Sequence, residues 1–277
     1  MSVVINSNYG AVAARKNLLE TQDQFNKTLE RISSGQKTIY ASDDAAGIAI
    51  AGKMEAQIRG LSTAIRHAKD GQSMAGASES AMQEVSTVLQ KMRELALHAS
   101  SGIATNSDKD HLNLEMSNLV TEIENISTNT KFNDRQLLRG LQFTFYTDID
   151  VAGANITTVS SDMAVSTLGI PQTTVSIGGG VRQDSLKNVV IALDQAIETV
   201  DSKRADLGAI SNRFDHIMDN LQNVINNTRR SKSTMIDADF SSETTKLTTT
   251  NILQQGGNAM LANANAQKKL ILTLFNQ

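Results

Sequence analysis

The sequence has 277 residues, a formal net charge of -3, 4% aromatic residues, one proline and no cysteine. This composition excludes a disulfide framework and a thiolate metal site, and the charge balance argues against binding to nucleic acid or to an anionic membrane surface. Few aromatic residues and a single proline favour long, thin helical bundles, whose contacts are filled by aliphatic side chains.

Residues 2–32 are predicted to form a helix with a coiled-coil-like stripe. The intervening core position is often polar, as at Asn8, Arg15 and Gln22, so this helix should pair weakly by itself. The N-terminus also lacks a positive start and a long apolar run, so we expect no general secretory signal peptide and no membrane insertion. Five apolar residues recur every seven positions and are the predicted packing residues of this helix: Val4, Ala11, Leu18, Phe25 and Ile32.

Residues 33–54 are predicted to form a joint between this helix and the next. Gly35 is placed to end the first helix in the left-handed conformation, and a short extended piece should follow it. Ser42 is expected to cap the next helix, with Asp43 and Asp44 in its first turn, where backbone donors and the helix dipole favour negative charge. The small residues after them leave room for a second backbone, although an ordinary helix–loop–helix connection is the alternative. The candidate subunit-contact residues of the joint are Ser42, Asp43, Asp44, Ala45, Ala46 and Gly47.

Two helices and a β-rich segment are predicted to follow. The first helix covers about residues 43–100, and after a Ser-Ser-Gly break Asp108 opens a shorter helix with the same 4–3 apolar spacing. Residues 131–183 change character. There Leu141, Phe143, Phe145, Ile149 and Val151 alternate with polar residues, which indicates a strand with one solvated face. We expect a small, exposed β-rich excursion.

The last third of the sequence is predicted to contain a long helix and a terminal one. Asp184 should cap a helix that reaches about Arg230, with a seven-residue repeat of Leu186, Leu193, Val200, Leu207, Phe214 and Leu221. A second joint at 235–241 precedes the terminal helix. Residues 247–267 carry no charge, which favours a largely buried place for that helix. Its predicted packing residues are Leu253, Met260, Ala264, Ile271 and Leu274.

The order of these elements predicts a mainly α fold in which long coiled-coil-like helices form a rod. A discontinuous inner domain, residues 1–42 plus 236–277, should bring the two ends of the chain together. Residues 43–235 should form a helical rod domain that contains the outward-facing β-rich segment at 131–183. The terminal helices bury too little on their own seam to offset the entropy of ordering them, so we expect them to order when neighbouring subunits add contact surface.

No catalytic or cofactor site is predicted. The four histidines lie far apart, with no paired spacing typical of a metal site, and the sequence has no Gly-x-Ser-x-Gly elbow. Asp43 and Asp44 could form a carboxylate pair, but helix capping explains them better than acid–base work or metal binding. We therefore expect neither an enzyme nor a bound cofactor.

Several segments resemble the bacterial flagellins. They are Ser33–Gly35 with Ser42–Gly47, Leu89–Ala96, Lys131–Asp134 with Leu137–Leu138, Asp237–Phe240 and Ile252–Gln255. The resemblance implies a structural subunit of the flagellar filament, a helical homopolymer that serves motility, with the terminal helices in its core. A short segment between Gly140 and Val181 implies a form without large outer domains.

The resemblance also implies partners and a location. Flagellins are exported through the flagellar type III apparatus with a secretion chaperone on the C-terminal helix, and they assemble beneath a filament cap and beyond the hook-junction proteins. Export by this route would fit the missing signal peptide and would place the chain in an extracellular filament. The hook–filament junction proteins are the alternative, since they share these ends, but their joint more often reads Asp-Asp-Pro where this sequence has Asp44-Ala45-Ala46. A free coiled-coil adaptor is a further alternative that the uncharged terminal helix disfavours.

Some flagellins are bound by an innate immune receptor, Toll-like receptor 5. By resemblance, its contact motif falls on Lys91, Arg93, Glu94, Leu95 and Glu115. Lys91 stands where strongly recognised members have Arg, and an ammonium group cannot make the planar bidentate contact of a guanidinium. Leu95 lies on the 4–3 stripe, so core packing is the simpler role for it, and we expect receptor contact only on the exposed flank.

Overall fold

The computed structural model describes residues 7–147, 155–159 and 161–275, with side chains described in 7–147 and 161–267. The fold is mainly α, as predicted. In chain order, the described elements are α1 (Tyr9–Ser34), α2 (Ala45–Ala99), α3 (Asn106–Asn129), β1 (Lys131–Phe132), β2 (Arg135–Gln136), β3 (Gln142–Tyr146), β4 (Asn155–Val159), α4 (Gln183–Ile236) and α5 (Phe240–Phe275). No helix in the described part of the chain has the length and apolarity to cross a bilayer.

The chain divides into two compact units. The terminal unit comprises Met1–Ala56 and Asn227–Gln277, and the central unit comprises Gln57–Asn226. The domain boundaries proposed from the sequence, near residues 42 and 236, stay a prediction.

The central unit has an extended core made by α2, α3 and α4. The seven-residue repeat of α4 is confirmed, because all six of its members are buried: Leu186, Leu193, Val200, Leu207, Phe214 and Leu221. Met82, Leu89 and Met92 of α2 and Ile123 of α3 are completely buried as well. The heptad positions of α4 therefore all lie in the buried clusters of this unit.

Two short hairpins follow α3. The β1–β2 hairpin turns at Asn133 and Asp134, whose φ angles of 50° and 62° suit a tight turn of the type that matches strand twist. β3 pairs antiparallel with β4, from Gln142 opposite Val159 to Tyr146 opposite Asn155. The predicted strand is confirmed at Phe143 and Phe145 of β3. Its further apolar positions, Ile149 and Val151, lie outside the described residues.

The segment from Ser161 to Val181 was wrongly predicted to be an exposed β-rich excursion. It has no strand in its described residues, and it packs into the central core through buried Met163, Ile170 and Ile177. Its backbone is fixed by side chains of α3: the Val165 N–H donates to Glu124 Oε2 at 3.3 Å, and other N–H groups donate to Asn113 and Asp110. The apolar residues here follow no regular period, so the sequence pattern did not reveal their burial.

The terminal unit is built around an antiparallel pair of helices, α1 and α5. Asn8 Nδ2 donates to the Ala264 carbonyl at 3.2 Å, and Gln254 Nε2 donates to Gln22 Oε1 at 3.0 Å. Asn8 was predicted to lie inside the first helix, but its side chain accepts from the Ala11 N–H at 3.1 Å and so caps that helix. α1 therefore begins at Tyr9.

Candidate self-assembly surface

The two joints of the terminal unit are tied to each other by backbone hydrogen bonds. The Lys37 N–H donates to the Ile236 carbonyl at 2.6 Å, and the Ala238 N–H donates to the Gly35 carbonyl at 2.9 Å. Gly35 has a φ of 69°, and its N–H donates to the Arg31 carbonyl, so the predicted left-handed cap is confirmed. These bonds fix where α1 ends and where α5 begins.

The capping residue of α2 is Asp44, and the prediction of Ser42 was wrong. α2 begins at Ala45, and Asp44 Oδ1 accepts from the Gly47 N–H at 2.9 Å. Asp43 does not lie in the first turn either, because its carboxylate turns back and accepts from the Tyr40 N–H at 3.2 Å. With two adjacent aspartates available, the one nearer the helix reaches its free N–H groups, and the other closes the loop before it.

The small residues of the joint divide into two kinds. Gly47 is buried, and a Cβ atom there would collide with the Asp44 carboxylate, so this glycine makes room for the cap of its own helix. Ala45, Ala46 and Ala49 are exposed. A larger side chain at Gly47 would break the cap, so it would not report on subunit contact alone.

Tyr40 holds the joint against α1. Its hydroxyl donates to Glu30 Oε1 at 2.6 Å. This bond, reinforced by the negative charge of Glu30, raises the pKa of the Tyr40 phenol.

The predicted packing residues of α1 are only partly buried in the single chain. Ala11, Leu18, Phe25 and Ile32 are all half-buried, and Val4 lies outside the described residues. The second seam position is occupied by Ala14, Thr21 and Thr28, rather than by a large apolar residue. Val12 and Leu19 point away from this seam and are 65% and 56% exposed.

Of the predicted packing positions of α5, Ala264 lies on the observed seam with α1, whereas Leu253 and Met260 are each one residue away from it. Gln254, Gly257, Leu261 and Ala264 are the partly buried ones, while Leu253 and Met260 are 53% and 64% exposed. On this seam, Gln254 Nε2 donates a hydrogen bond to Gln22 Oε1. Leu253 and Met260 were therefore wrong as α1–α5 seam residues. The side chains of Ile271 and Leu274 lie outside the described residues.

The terminal unit consequently presents two apolar stripes to solvent. Val12 and Leu19 lie two turns apart on one face of α1, and Leu253 and Met260 lie two turns apart on one face of α5, where Ile252 adds a further 63% exposed side chain. We call these five residues the exposed terminal stripes. Exposed apolar side chains that recur along a helix face are typical of a protein–protein contact.

An open groove of about 410 Å³ lies between α1 and α5, and Leu253 lines it. Lys27 and Arg31 of α1 line it from one side, with Lys246 from the other. Lys246 Nζ contacts Glu243 Oε1 at 2.7 Å, and Glu243 is only 4% exposed. The groove therefore combines positive charge with one apolar side chain.

The candidate receptor residues are not equally accessible. Lys91 and Glu94 pair with each other at 3.3 Å, and Arg93 Nε pairs with Asp194 Oδ1 of α4 at 2.5 Å. Leu95 is only 6% exposed and belongs to the central core, so it is not a surface contact in the folded chain. Glu115 is exposed on α3.

The described residues contain no cluster of three or more His, Asp or Glu side chains arranged to hold a metal ion.

Comparison with known proteins gives matches along the whole chain. Residues 5–142 match the bacterial flagellin N-terminal helical region, and residues 190–275 match the bacterial flagellin C-terminal helical region. A flagellin from Halalkalibacterium halodurans is 36% identical over 99% of this chain and 100% of its own length. Flagellin FlaB2 from Treponema pallidum is 32% identical, also over 99% of this chain and 100% of its own length.

A solved structure with a similar fold is a putative flagellar hook-associated protein from Vibrio parahaemolyticus. It has a TM-score of 0.62 and covers 70% of this chain and 99% of that one. At 14% identity, the likeness extends to the fold alone.

Proposed function

The chain belongs to the bacterial flagellin family, and we propose that its terminal unit is the part that joins neighbouring subunits. As a flagellin, the chain is a structural subunit of the flagellar filament and serves motility. Flagellins are structural proteins, which agrees with the expectation that this chain is not an enzyme.

The observation that carries the proposal is the contrast between burial and hydrophobicity in the terminal unit. Residues 247–267 carry no charge, yet Ile252, Leu253 and Met260 within them are more than half exposed. An apolar side chain of this size stabilises a contact by about 1.5–3 kcal/mol when it is fully buried. A second copy of this chain presents the same stripes, so repeated stripe-to-stripe contacts would bury them throughout a helical homopolymer.

The joint would help by fixing how α1 and α5 are presented. The backbone hydrogen bonds that link Gly35 with Ala238 and Lys37 with Ile236 fix the end of α1 relative to the start of α5. Exposed Ala45, Ala46 and Ala49 would let a neighbouring backbone approach closely. The exposed alanines near Gly47 are therefore the proposed contact residues of the joint, and buried Gly47 is not one of them.

The export and assembly partners are a further part of the proposal. We propose that the chain leaves the cell through the flagellar type III apparatus, is held by a secretion chaperone on α5 before export, and is added beneath a filament cap beyond the hook-junction proteins. An unassembled α5 with exposed apolar side chains supports the need for a chaperone, because such a surface would otherwise associate prematurely.

Binding to Toll-like receptor 5 is a separate proposal. It concerns the exposed residues Lys91, Glu94 and Glu115 together with half-buried Arg93, and it does not include buried Leu95. Replacing Lys91 by Arg is expected to strengthen receptor signalling by the soluble monomer, because Arg supplies a planar bidentate donor. Equal signalling by both proteins would remove Lys91 from the contact.

The assembly proposal can be tested with Leu253→Ser and the matched control Gln255→Ser. Both positions are exposed on α5, but only Leu253 belongs to the exposed terminal stripes. Leu253→Ser is expected to raise the critical concentration for filament growth about tenfold, which corresponds to about 1.4 kcal/mol per subunit. Seeded polymerisation followed by electron microscopy and sedimentation measures this value.

Gln255→Ser is expected to polymerise within about twofold of the unmodified protein, because exposed polar positions contribute little. Both variants should unfold at the same denaturant concentration as the unmodified monomer. The proposal is wrong if Leu253→Ser polymerises like Gln255→Ser.

A further inference from the structure

The methionines of the chain fall into distinct classes of exposure. Met74, Met82, Met92, Met116 and Met163 are buried in the central core. Met54, Met218 and Met235 are partly buried. Within the part of the chain whose side chains are described, Met260 is the one exposed methionine, at 64%.

The surroundings of Met260 make its exposure meaningful. It lies on the α5 stripe two turns after Leu253, inside the uncharged stretch 247–267. Its thioether is therefore open to small oxidants in the monomer. If the exposed terminal stripes are covered in the filament, the same sulfur atom lies in an apolar contact after assembly.

We infer that Met260 is an oxidation site that controls assembly, with hydrogen peroxide or another two-electron peroxide oxidant as the reagent. This inference rests on the proposed function. The sulfur lone pair attacks one peroxide oxygen, the O–O bond breaks, and the proton of the attacked oxygen passes to the leaving oxygen, which departs as water from hydrogen peroxide or as an alcohol from an alkyl peroxide. Sulfur is oxidised to the sulfoxide, and peroxide is reduced.

The consequence for assembly follows from polarity. A sulfoxide converts a flexible apolar side chain into a polar one with a strong hydrogen-bond acceptor. Burying that acceptor without a donor is unfavourable, so an oxidised subunit should add poorly to the filament. A subunit that is already assembled should be protected, because its Met260 is covered. Oxidant would thereby block new growth and spare existing filament.

The first measurement uses the unmodified protein as monomer and as filament. Both are exposed to dilute hydrogen peroxide, and peptide mass mapping follows the addition of one oxygen atom at each methionine. Met260 is expected to react first in the monomer and at least about tenfold more slowly in the filament. Equal rates in the two states would overturn the inference.

The second measurement compares each variant with itself, before and after peroxide. For the unmodified protein, and for the control Met54→Leu, peroxide is expected to raise the critical concentration about tenfold, or about 1.4 kcal/mol per subunit. For Met260→Leu, whatever its starting value, treatment should change the critical concentration by less than about twofold. A peroxide effect of equal size in Met260→Leu would overturn the inference.

A different result would contradict the proposed function. If untreated protein forms no filaments under seeding, the assembly role is wrong and this inference falls with it. If untreated protein polymerises normally but Met260 reacts equally in monomer and filament, only the inference that oxidation regulates assembly is wrong.

Discussion

The central unit and the terminal unit are both built from long helices, but they bury their apolar residues very differently. Among the described residues, Ala51 is the only buried hydrophobic residue of the terminal unit, and all the others belong to the central unit. The terminal unit instead buries Thr28, Thr38, Glu243 and Thr250. Helix formation and core formation are therefore separable in this chain.

The difference arises from how many neighbours each helix has. In the central unit, seam residues such as Leu193 and Val200 belong to one buried cluster with residues of α2, α3 and the 161–181 segment. In the terminal unit, α1 contacts α5 along one face, and the seam contains Thr and Gly where α4 has Leu. A two-helix pair leaves most of each helix surface exposed, and further copies of the chain could cover it.

The largest expected effect on stability comes from the core of the central unit. A Cβ atom at Gly71 would lie 2.5 Å from Phe214 Cζ, and Phe214 is completely buried. Gly71→Ala should therefore lower the free energy of unfolding by about 1–3 kcal/mol through overpacking. Denaturant unfolding followed by circular dichroism measures this change.

The matched control is Gly76→Ala on the same helix, where a Cβ atom would meet nothing within 4 Å. This variant should be neutral or stabilise by up to about 1 kcal/mol, because alanine favours the helix. If both variants behave alike, the close packing of Phe214 on α2 is not limiting in the central unit.

A smaller effect is expected from the equivalent contact of the terminal unit. A Cβ atom at Gly257 would lie 3.1 Å from Leu18 Cδ1, but Leu18 is only half-buried, so its methyl group can move. At the open position Gly256, replacement by alanine should stabilise the helix by about 1 kcal/mol. At Gly257, the close contact with Leu18 should cancel most of that gain. The helicity of α1 and α5, measured by residue-resolved NMR in the monomer, separates the two variants.

An equal gain in helicity from Gly256→Ala and Gly257→Ala would mean that α1 and α5 do not pack closely in the monomer. That outcome would sharpen the comparison, since the terminal unit would then lack even its one helix–helix contact before assembly.

An effect at high pH should be confined to the terminal unit. Because the bond to Glu30 raises the pKa of Tyr40, it stabilises the fold below the ordinary pKa of tyrosine, and that stabilisation is lost as the pH rises through the raised pKa. Tyr40→Phe should remove this pH dependence from the joint while leaving the central unit unchanged. NMR chemical shifts of joint amides between neutral and alkaline pH give the measurement. An identical titration in both proteins would contradict the role of Tyr40.

The smallest effect should occur at acidic pH, at the start of α3 in the central unit. The Thr105 hydroxyl and backbone N–H both donate to Asp108 Oδ2, at 2.7 and 3.0 Å, and these bonds lower the pKa of Asp108. The stabilisation is present above the ordinary aspartate pKa and is lost as the pH falls through the lowered value. Thr105→Ala should raise the pKa of Asp108, measured by NMR titration. An unchanged value would show that the hydroxyl bond is not its main cause.

The sequence predicted the helices well, because long apolar repeats specify them directly. The repeat through Leu186 and Phe214 identified the α4 seam, and Gly35 marked the end of α1. The prediction failed where two neighbouring residues could serve the same local role. Ser42 and Asp44 are both good caps, and the geometry of the loop decides between them.

The candidate site was only partly predictable for the same kind of reason. A 4–3 pattern through Leu253 and Met260 reads as a seam, but the pattern cannot tell whether the partner is in the same chain or in another copy. The structure assigns the seam of the single chain to Gln254, Gly257, Leu261 and Ala264, and leaves Leu253 and Met260 exposed. The error at these two positions therefore points to the surface that a second copy would cover.

Amide hydrogen exchange of the monomer and of the filament tests the central claim most directly. In the monomer, we expect the amides of α1 and α5 to exchange far faster than those of the buried α4 seam, because the terminal unit has almost no apolar core. In the filament, α1 and α5 should become strongly protected, while the α4 seam changes little. Slow exchange of α1 and α5 already in the monomer, or no added protection on assembly, would contradict the account.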